Sequence, residues 1–231
     1  MRSRFQHGLD ELKERLLEMG GMAEAAIEMA VDSYCKRDGR LAQKVFERER
    51  LINQSERTID EIAVDLLAMQ QPMATDLRFV LAVLKINADL ERVGDLAVNI
   101  AQRSLDLMQQ PEIETPVDIA RMTTAVSTMV RRALESFLSA KADVAQAVLE
   151  MDSIVDRMKD EAFVNLVAQM KDNPGQVRSC LDVLLIARSL ERIADHATNI
   201  AEDVIFWVSG ADVRHNVRYA QESDPDAPRR Q

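Results

Sequence analysis

Turn-forming residues are scarce in this chain: 231 residues contain seven glycines and six prolines, and aromatics make up only 4 %. Few turn-formers and few β-formers exclude an architecture of many short strands and point to long helices with few connections. Cysteine is nearly absent. Cys35 and Cys180 show no ligand-like or redox spacing, which excludes a disulfide framework and leaves reduced, buried thiols as the expectation. An excess of positive charge is also missing, since 39 acids outnumber 29 Lys and Arg and leave a net charge of −10. A protein that grips nucleic-acid phosphates needs a cationic face, so no nucleic acid is expected as a partner. Arg131–Arg132 and Arg229–Arg230 read as solvated helix and tail charges. No stretch approaches the ~20 apolar residues of a membrane span. Met1 to His7 carries no apolar signal region before the charged stretch Asp10–Arg15. The expectation is a cytoplasmic protein that reaches a membrane only through partners.

What is present is helical periodicity. Phe5, Leu9, Leu12, Leu16, Met19, Ala23, Ala26 and Ala30 recur in alternating steps of four and three, one apolar stripe along a long helix. Lys36-Arg-Asp-Gly39 interrupts it, and a second stripe follows through Val45, Ile52, Ile59, Ala63, Leu66 and Met69. Gln70-Gln-Pro72 ends that helix, because proline disfavours helical geometry in the residue before it. A third helix opens around Asp76 and runs through Leu77, Leu81, Leu84 and Ala88 to about Met108. Residues 109–116 hold two prolines and make the best domain boundary. Three more helices are then predicted, from Val117 to about Ser139, from Asp143 to about Lys171, and from about Gln176 to Val208. Asp172-Asn-Pro-Gly175 separates the last two, and Gly210 stops the sixth.

The halves repeat each other. Leu-Glu-Arg-Val-Gly-Asp-Leu-Ala-Val-Asn-Ile-Ala at 90–101 matches Leu-Glu-Arg-Ile-Ala-Asp-His-Ala-Thr-Asn-Ile-Ala at 190–201 in eight of twelve positions. The second helices match at an offset of 103, residues 41–47 against 144–150. A duplicated sequence makes a duplicated structure. The chain is therefore expected to be all-α, two tandem, internally duplicated three-helix bundles over 1–110 and 115–210, with residues 211–231 as a flexible tail.

The duplicated motif carries acids. Glu91 and Asp95, and their echoes Glu191 and Asp195, lie one helical turn apart and so share a face, about 6 Å apart along the axis. On the second helices, Glu49 with Asn53 and Asp152 with Asp156 have the same spacing. Where second and third helices pack as neighbours, each bundle gathers three or four oxygen donors. Such pairs also arise on any solvated face, where Arg92 or Arg192 would lie alongside as a weak surface ion pair. Recurrence in both halves weighs against that, as does the way the acids prolong the stripe Leu77–Leu81–Leu84–Ala88. Val80, Val83, Leu90, Ala97 and Ala101 form a second apolar edge on the same helix. Oxygen donors without thiolates suit Mg²⁺, Mn²⁺, Ca²⁺ or iron. The Glu-x-x-His step of di-iron bundles is absent. His196, adjacent to Asp195, points about 100° away from it and is expected to have a supporting or surface role. Trp207, near the end of the sixth helix, reads as a packing residue. No nucleophile signature and no glycine-rich phosphate loop is present, so no catalytic residue is assigned and the chain is not expected to be an enzyme.

With the repeats laid out, the chain resembles the PhoU family. The resemblance rests on Gln71-Pro-Met-Ala-Thr-Asp-Leu-Arg78, on residues 90–95 with Asn99-Ile-Ala101, and on residues 190–202. It implies a cytoplasmic, homodimeric, non-enzymatic adaptor of two three-helix bundles holding metal ions: iron, zinc, Mg²⁺ or Mn²⁺. The implied partners are the ATPase subunit of the phosphate ABC transporter (PstB) and the sensor histidine kinase (PhoR). The implied role is negative regulation of phosphate uptake and of the phosphate-starvation regulon. Carried over by position, one metal site uses Glu49, Glu91 and Asp95, and the other Asp152, Asp156, Glu191 and Asp195. Asn53 stands where the family pattern has Asp, and Leu96 where it has His, so weaker binding is expected at the first site. Two alternatives stay open: a metal-storage or metal-dependent helical-bundle enzyme, and a PhoU-domain accessory of a different phosphate transporter.

Overall fold

The computed structural model describes residues 2–70, 74–211 and 213. Six long helices account for nearly all of them: α1 (Arg2–Lys36), α2 (Gly39–Gln70), α3 (Ala74–Met108), α4 (Ile119–Ser139), α5 (Ala142–Asp172) and α6 (Val177–Ser209). A single 3₁₀ turn, Pro174–Gln176, links α5 to α6. The Met69 side chain, the break at Gln71–Pro72 and the tail beyond Val213 lie outside the described residues. Among the described residues no helix is long and apolar enough to cross a membrane.

Each helix end has a local cause. Arg37 adopts a left-handed φ of 50° and ends α1. Asp38 then accepts a hydrogen bond from the backbone N–H of Arg40 at 3.0 Å, satisfying one of the donors exposed at the start of α2. Asp118 does the same for α4, accepting from the Arg121 N–H at 2.8 Å. Gly210, with φ 74°, closes α6 through its N–H to the Phe206 carbonyl.

The α1 and α2 stripes are buried as expected, Leu12, Leu16, Met19, Ala23 and Ala26 on one helix and Val45, Ile52 and Ile59 on the other. Helices α1–α3 form one bundle and α4–α6 the other, while α3 packs lengthwise on α6 and α1 on α4. The two bundles therefore share one continuous core. Because α3 meets helices of both bundles, its buried row is Val80, Val83, Leu90, Ala97 and Ala101. The other row, Leu77, Leu81 and Ala88, is exposed and Leu84 only half-buried, so the stripe that the acids prolong lies on the outside rather than in the core. Cys35 also departs from expectation. Cys180 is buried but Cys35 is exposed, because the buried row at the end of α1 passes through Ser33 and Tyr34 and leaves the next residue turned away.

Trp207 packs, edge on, against Phe79 at 5.0 Å between ring centroids and lies 5.4 Å from Phe137, tying α3, α4 and α6 together. At Gly94 a Cβ would stand 3.1 Å from the Ile52 Cδ1. The equivalent positions in the second repeat hold Ala194 and Val155, one methyl moved from one partner to the other. Gly94→Ala and Ile52→Val should therefore couple in a double-mutant cycle. The Ile52→Val change, ordinarily costing about 1 kcal/mol, should cost nothing in the Gly94→Ala background. Urea unfolding of the four proteins measures this, and additive effects would show that the two side chains do not compete for space.

Candidate functional site

Packing of α2 on α3 and of α5 on α6 brings the sequence-predicted acids together in each bundle. In the first, burial and then the Asp95 charge push the Glu91 carboxyl above its ordinary range, with smaller contributions from Glu56 and Glu49. Arg92 opposes this, reaching Glu91 at 3.4 Å and Asp95 at 3.1 Å. Asn53 donates its amide N–H to Glu49, and its own oxygen is buried without a hydrogen-bond partner.

In the second bundle Asp195 is pushed up to about 6, by burial first and then by Glu191, Asp152 and Asp156. Asp152 is raised too, by burial and then by Asp156 and Glu191. All four predicted acids thus act on one another. Like charges crowded at a half-buried surface favour protonation or a cation.

Two residues that spacing arguments passed over belong to these clusters. Glu56 joins the first and Lys159 the second, and they are equivalent at the same 103-residue offset, one turn beyond Asn53 and Asp156. Lys159 pairs with Glu191 at 3.5 Å. With Glu56 included, each cluster has four carboxylates and one attached cation, Arg92 in the first and Lys159 in the second. Glu56 thus brings to the first cluster the carboxylate that Asn53 does not supply. Among the described residues no three Asp, Glu, His or Cys side chains converge closely enough to enclose an ion. The clusters have donors of the right chemistry, with Arg92 bridging Glu91 and Asp95 in the first and Lys159 paired with Glu191 in the second.

His196 turns away from the acids. Its Nδ1 lies 2.7 Å from Asp89 Oδ1 on α3, and Asn199 donates to the same oxygen at 3.2 Å. The pair is largely buried, 16 % and 15 % exposed, and stitches α6 to α3. Its equivalents in the other repeat, Leu96 and Ser189, form no such pair: Leu96 is buried and Ser189 donates to the Leu185 carbonyl.

Both halves match the PhoU domain, over residues 16–104 and 119–204. The chain is 42 % identical over 212 residues to a phosphate-specific transport system accessory protein PhoU homolog of Pseudomonas putida, covering 91 % of this chain and 83 % of that protein. The homolog from Pseudomonas aeruginosa is 41 % identical, covering 91 % and 88 %. The crystal structure of PhoU from Pseudomonas aeruginosa superposes with a TM-score of 0.86 at 40 % identity, over 90 % of this chain and all of that one. That of the phosphate transport system regulatory protein PhoU from Streptococcus pneumoniae gives 0.84 at 27 % identity, over 90 % and 99 %.

Proposed function

The chain belongs to the PhoU family, and on that premise we propose that it restrains phosphate uptake and keeps the phosphate-starvation regulon silent while phosphate is plentiful. Its relatives are named accessory and regulatory proteins of phosphate transport rather than enzymes, and this chain is an accessory protein of the same kind. In this reading it is a cytoplasmic homodimer that links the transporter ATPase PstB to the sensor kinase PhoR. Similarity over 91 % of the chain, through both repeats, carries the proposal. An adaptor also needs surface to offer, and Phe163 and Leu181 stand about half exposed beside the second acidic cluster.

Metal binding is part of the same proposal. The first cluster would hold an ion through Glu49, Glu91 and Asp95 with Glu56, and the second through Asp152, Asp156, Glu191 and Asp195. The buried, unpartnered oxygen of Asn53 and the raised carboxyls of Glu91, Asp152 and Asp195 fit a hard or borderline cation such as Mg²⁺, Mn²⁺, iron or zinc. A bound ion would supply positive charge to each cluster and displace Arg92 and Lys159 from their carboxylates, changing the surface that partners meet.

Deleting the gene should switch on phosphate-starvation genes in phosphate-rich medium, measured by reporter expression. Unchanged expression would reject the regulatory role. Retention of PstB by the tagged protein should accompany it, and capture of a different phosphate transporter instead would reassign the partner.

A further inference from the structure

On one side of the α3–α6 interface a cleft of about 320 Å³ is lined by three arginines, Arg103 of α3 with Arg188 and Arg192 of α6, and by no acid. Asn99 adds a side-chain amide. The Ser189 hydroxyl on its wall is already donated to the Leu185 carbonyl. Such a concentration of guanidinium groups is out of character for a chain of net charge −10.

The other side of the same interface serves as an internal comparison. There a cleft of about the same volume is lined by Lys85 and Arg92 together with Asp89, Glu202 and Asp203, so that acids accompany its cations. Lys85 pairs with Asp203 at 2.8 Å, and Arg92 is held by Glu91 and Asp95. Arg103 stands where that side has Asp203, and Arg188 where it has Ala88. The fold itself therefore does not demand an arginine cleft.

Arg192 differs from Arg92 in having Lys159 as a competitor for its neighbouring Glu. By taking Glu191 at 3.5 Å, Lys159 occupies the acid that the first repeat gives to its arginine. Arg103 is braced by Asp106 at 3.2 Å and by the buried Asp182 at 3.4 Å. Among the described residues no carboxylate stands within ion-pair distance of Arg188 or Arg192. On its far flank the same pair of arginines borders the groove containing Glu191 and Asp195.

We propose that this cleft is a binding site for an oxyanion of the phosphate class, held by Arg188 and Arg192 with Arg103 and Asn99. Guanidinium groups present paired N–H donors that match phosphate oxygens, and they stay charged at every relevant pH. The volume admits a single phosphate or the phosphate chain of a larger molecule. The inference goes beyond the accessory role and rests on the arginines alone, not on metal binding.

Calorimetric titration of the full chain in the presence of a chelator tests it, using inorganic phosphate, tripolyphosphate and ATP as separate probes. Saturable binding is expected for at least one of them. Arg188→Gln/Arg192→Gln should weaken it about tenfold or more, while the charge-matched Lys85→Gln/Arg92→Gln should leave it unchanged. Both arginines are exposed, so circular dichroism should show the fold intact. Binding of inorganic phosphate would identify the free anion as the source, and binding of ATP or tripolyphosphate alone would identify a phosphate chain. No saturable binding of any probe up to about 10 mM, or equal loss in both double variants, would overturn the proposal.

Discussion

Glu191→Gln/Asp195→Asn should make the metal-free protein more resistant to urea than the parent at pH 7, and Mn²⁺ or Mg²⁺ should reverse that order. Asp195 in the folded chain titrates at about 6, above the 3.8 of an unperturbed Asp, because burial and the charges of Glu191, Asp152 and Asp156 disfavour its ionised form. A folded-state pKa above the unfolded one means that the native protein binds the proton more tightly. The associated stabilisation is complete below about pH 4 and is lost as pH rises through 6. At pH 7 the parent therefore bears uncompensated repulsion, which the neutral amides remove. The advantage of the variant should shrink towards pH 4.

Metal acts in the opposite direction. A cation that binds only the folded state stabilises it by about 2.7 kcal/mol at a hundredfold excess over its dissociation constant. The parent should gain this at the second cluster and the double variant should not. Because the acids must shed protons to bind, affinity should also fall between pH 7 and 5. Urea unfolding with chelator and with each metal, at pH 4.5 and 7, reads all of these. An unchanged parent on metal addition, together with no gain in the metal-free variant, would reduce the cluster to an ordinary solvated face.

Phe137→Ala should cost about 3–5 kcal/mol, the range for emptying a fully buried aromatic site. The Phe137 side chain has no exposure and lies 5.8 Å from the Phe79 ring and 5.4 Å from Trp207. It stands where α4 meets α3 and α6, so its loss loosens the join between the bundles as well as the second bundle itself. Trp207 is the only tryptophan, and its emission should shift to the red as its neighbour disappears. A loss below about 1 kcal/mol, with unmoved fluorescence, would show that the site collapses without consequence.

Helix existence was legible because the evidence for it is local. Apolar spacing, the glycine at 39, the two prolines within 109–116 and Gly210 act over one or two turns, and the six helices begin and end within a few residues of where those signals stand. The acid clusters were legible through their recurrence, which no single helix would have revealed. Leu77 and Leu81 were misleading. Periodicity shows that a helix has an apolar row but not which of two rows meets a neighbour, and α3 turned the other one inward. Cys35 was misplaced for a similar reason, by one residue's rotation at a helix end.

The amino-acid sequence by itself determined the helical class, the duplication and the eight positions in four pairs that could supply oxygen donors. Only the tertiary structure decided what neutralises those acids. Glu56 and Lys159 enter the clusters because α2 and α5 pack against α3 and α6, and His196 finds Asp89 because α3 lies along α6. Side-chain spacing is a property of one helix, whereas the partner of a charge depends on which helices meet and at what rotation. Two nearly identical motifs thus acquire different surroundings, with Arg92 drawn to its acids and Arg192 left facing a cleft.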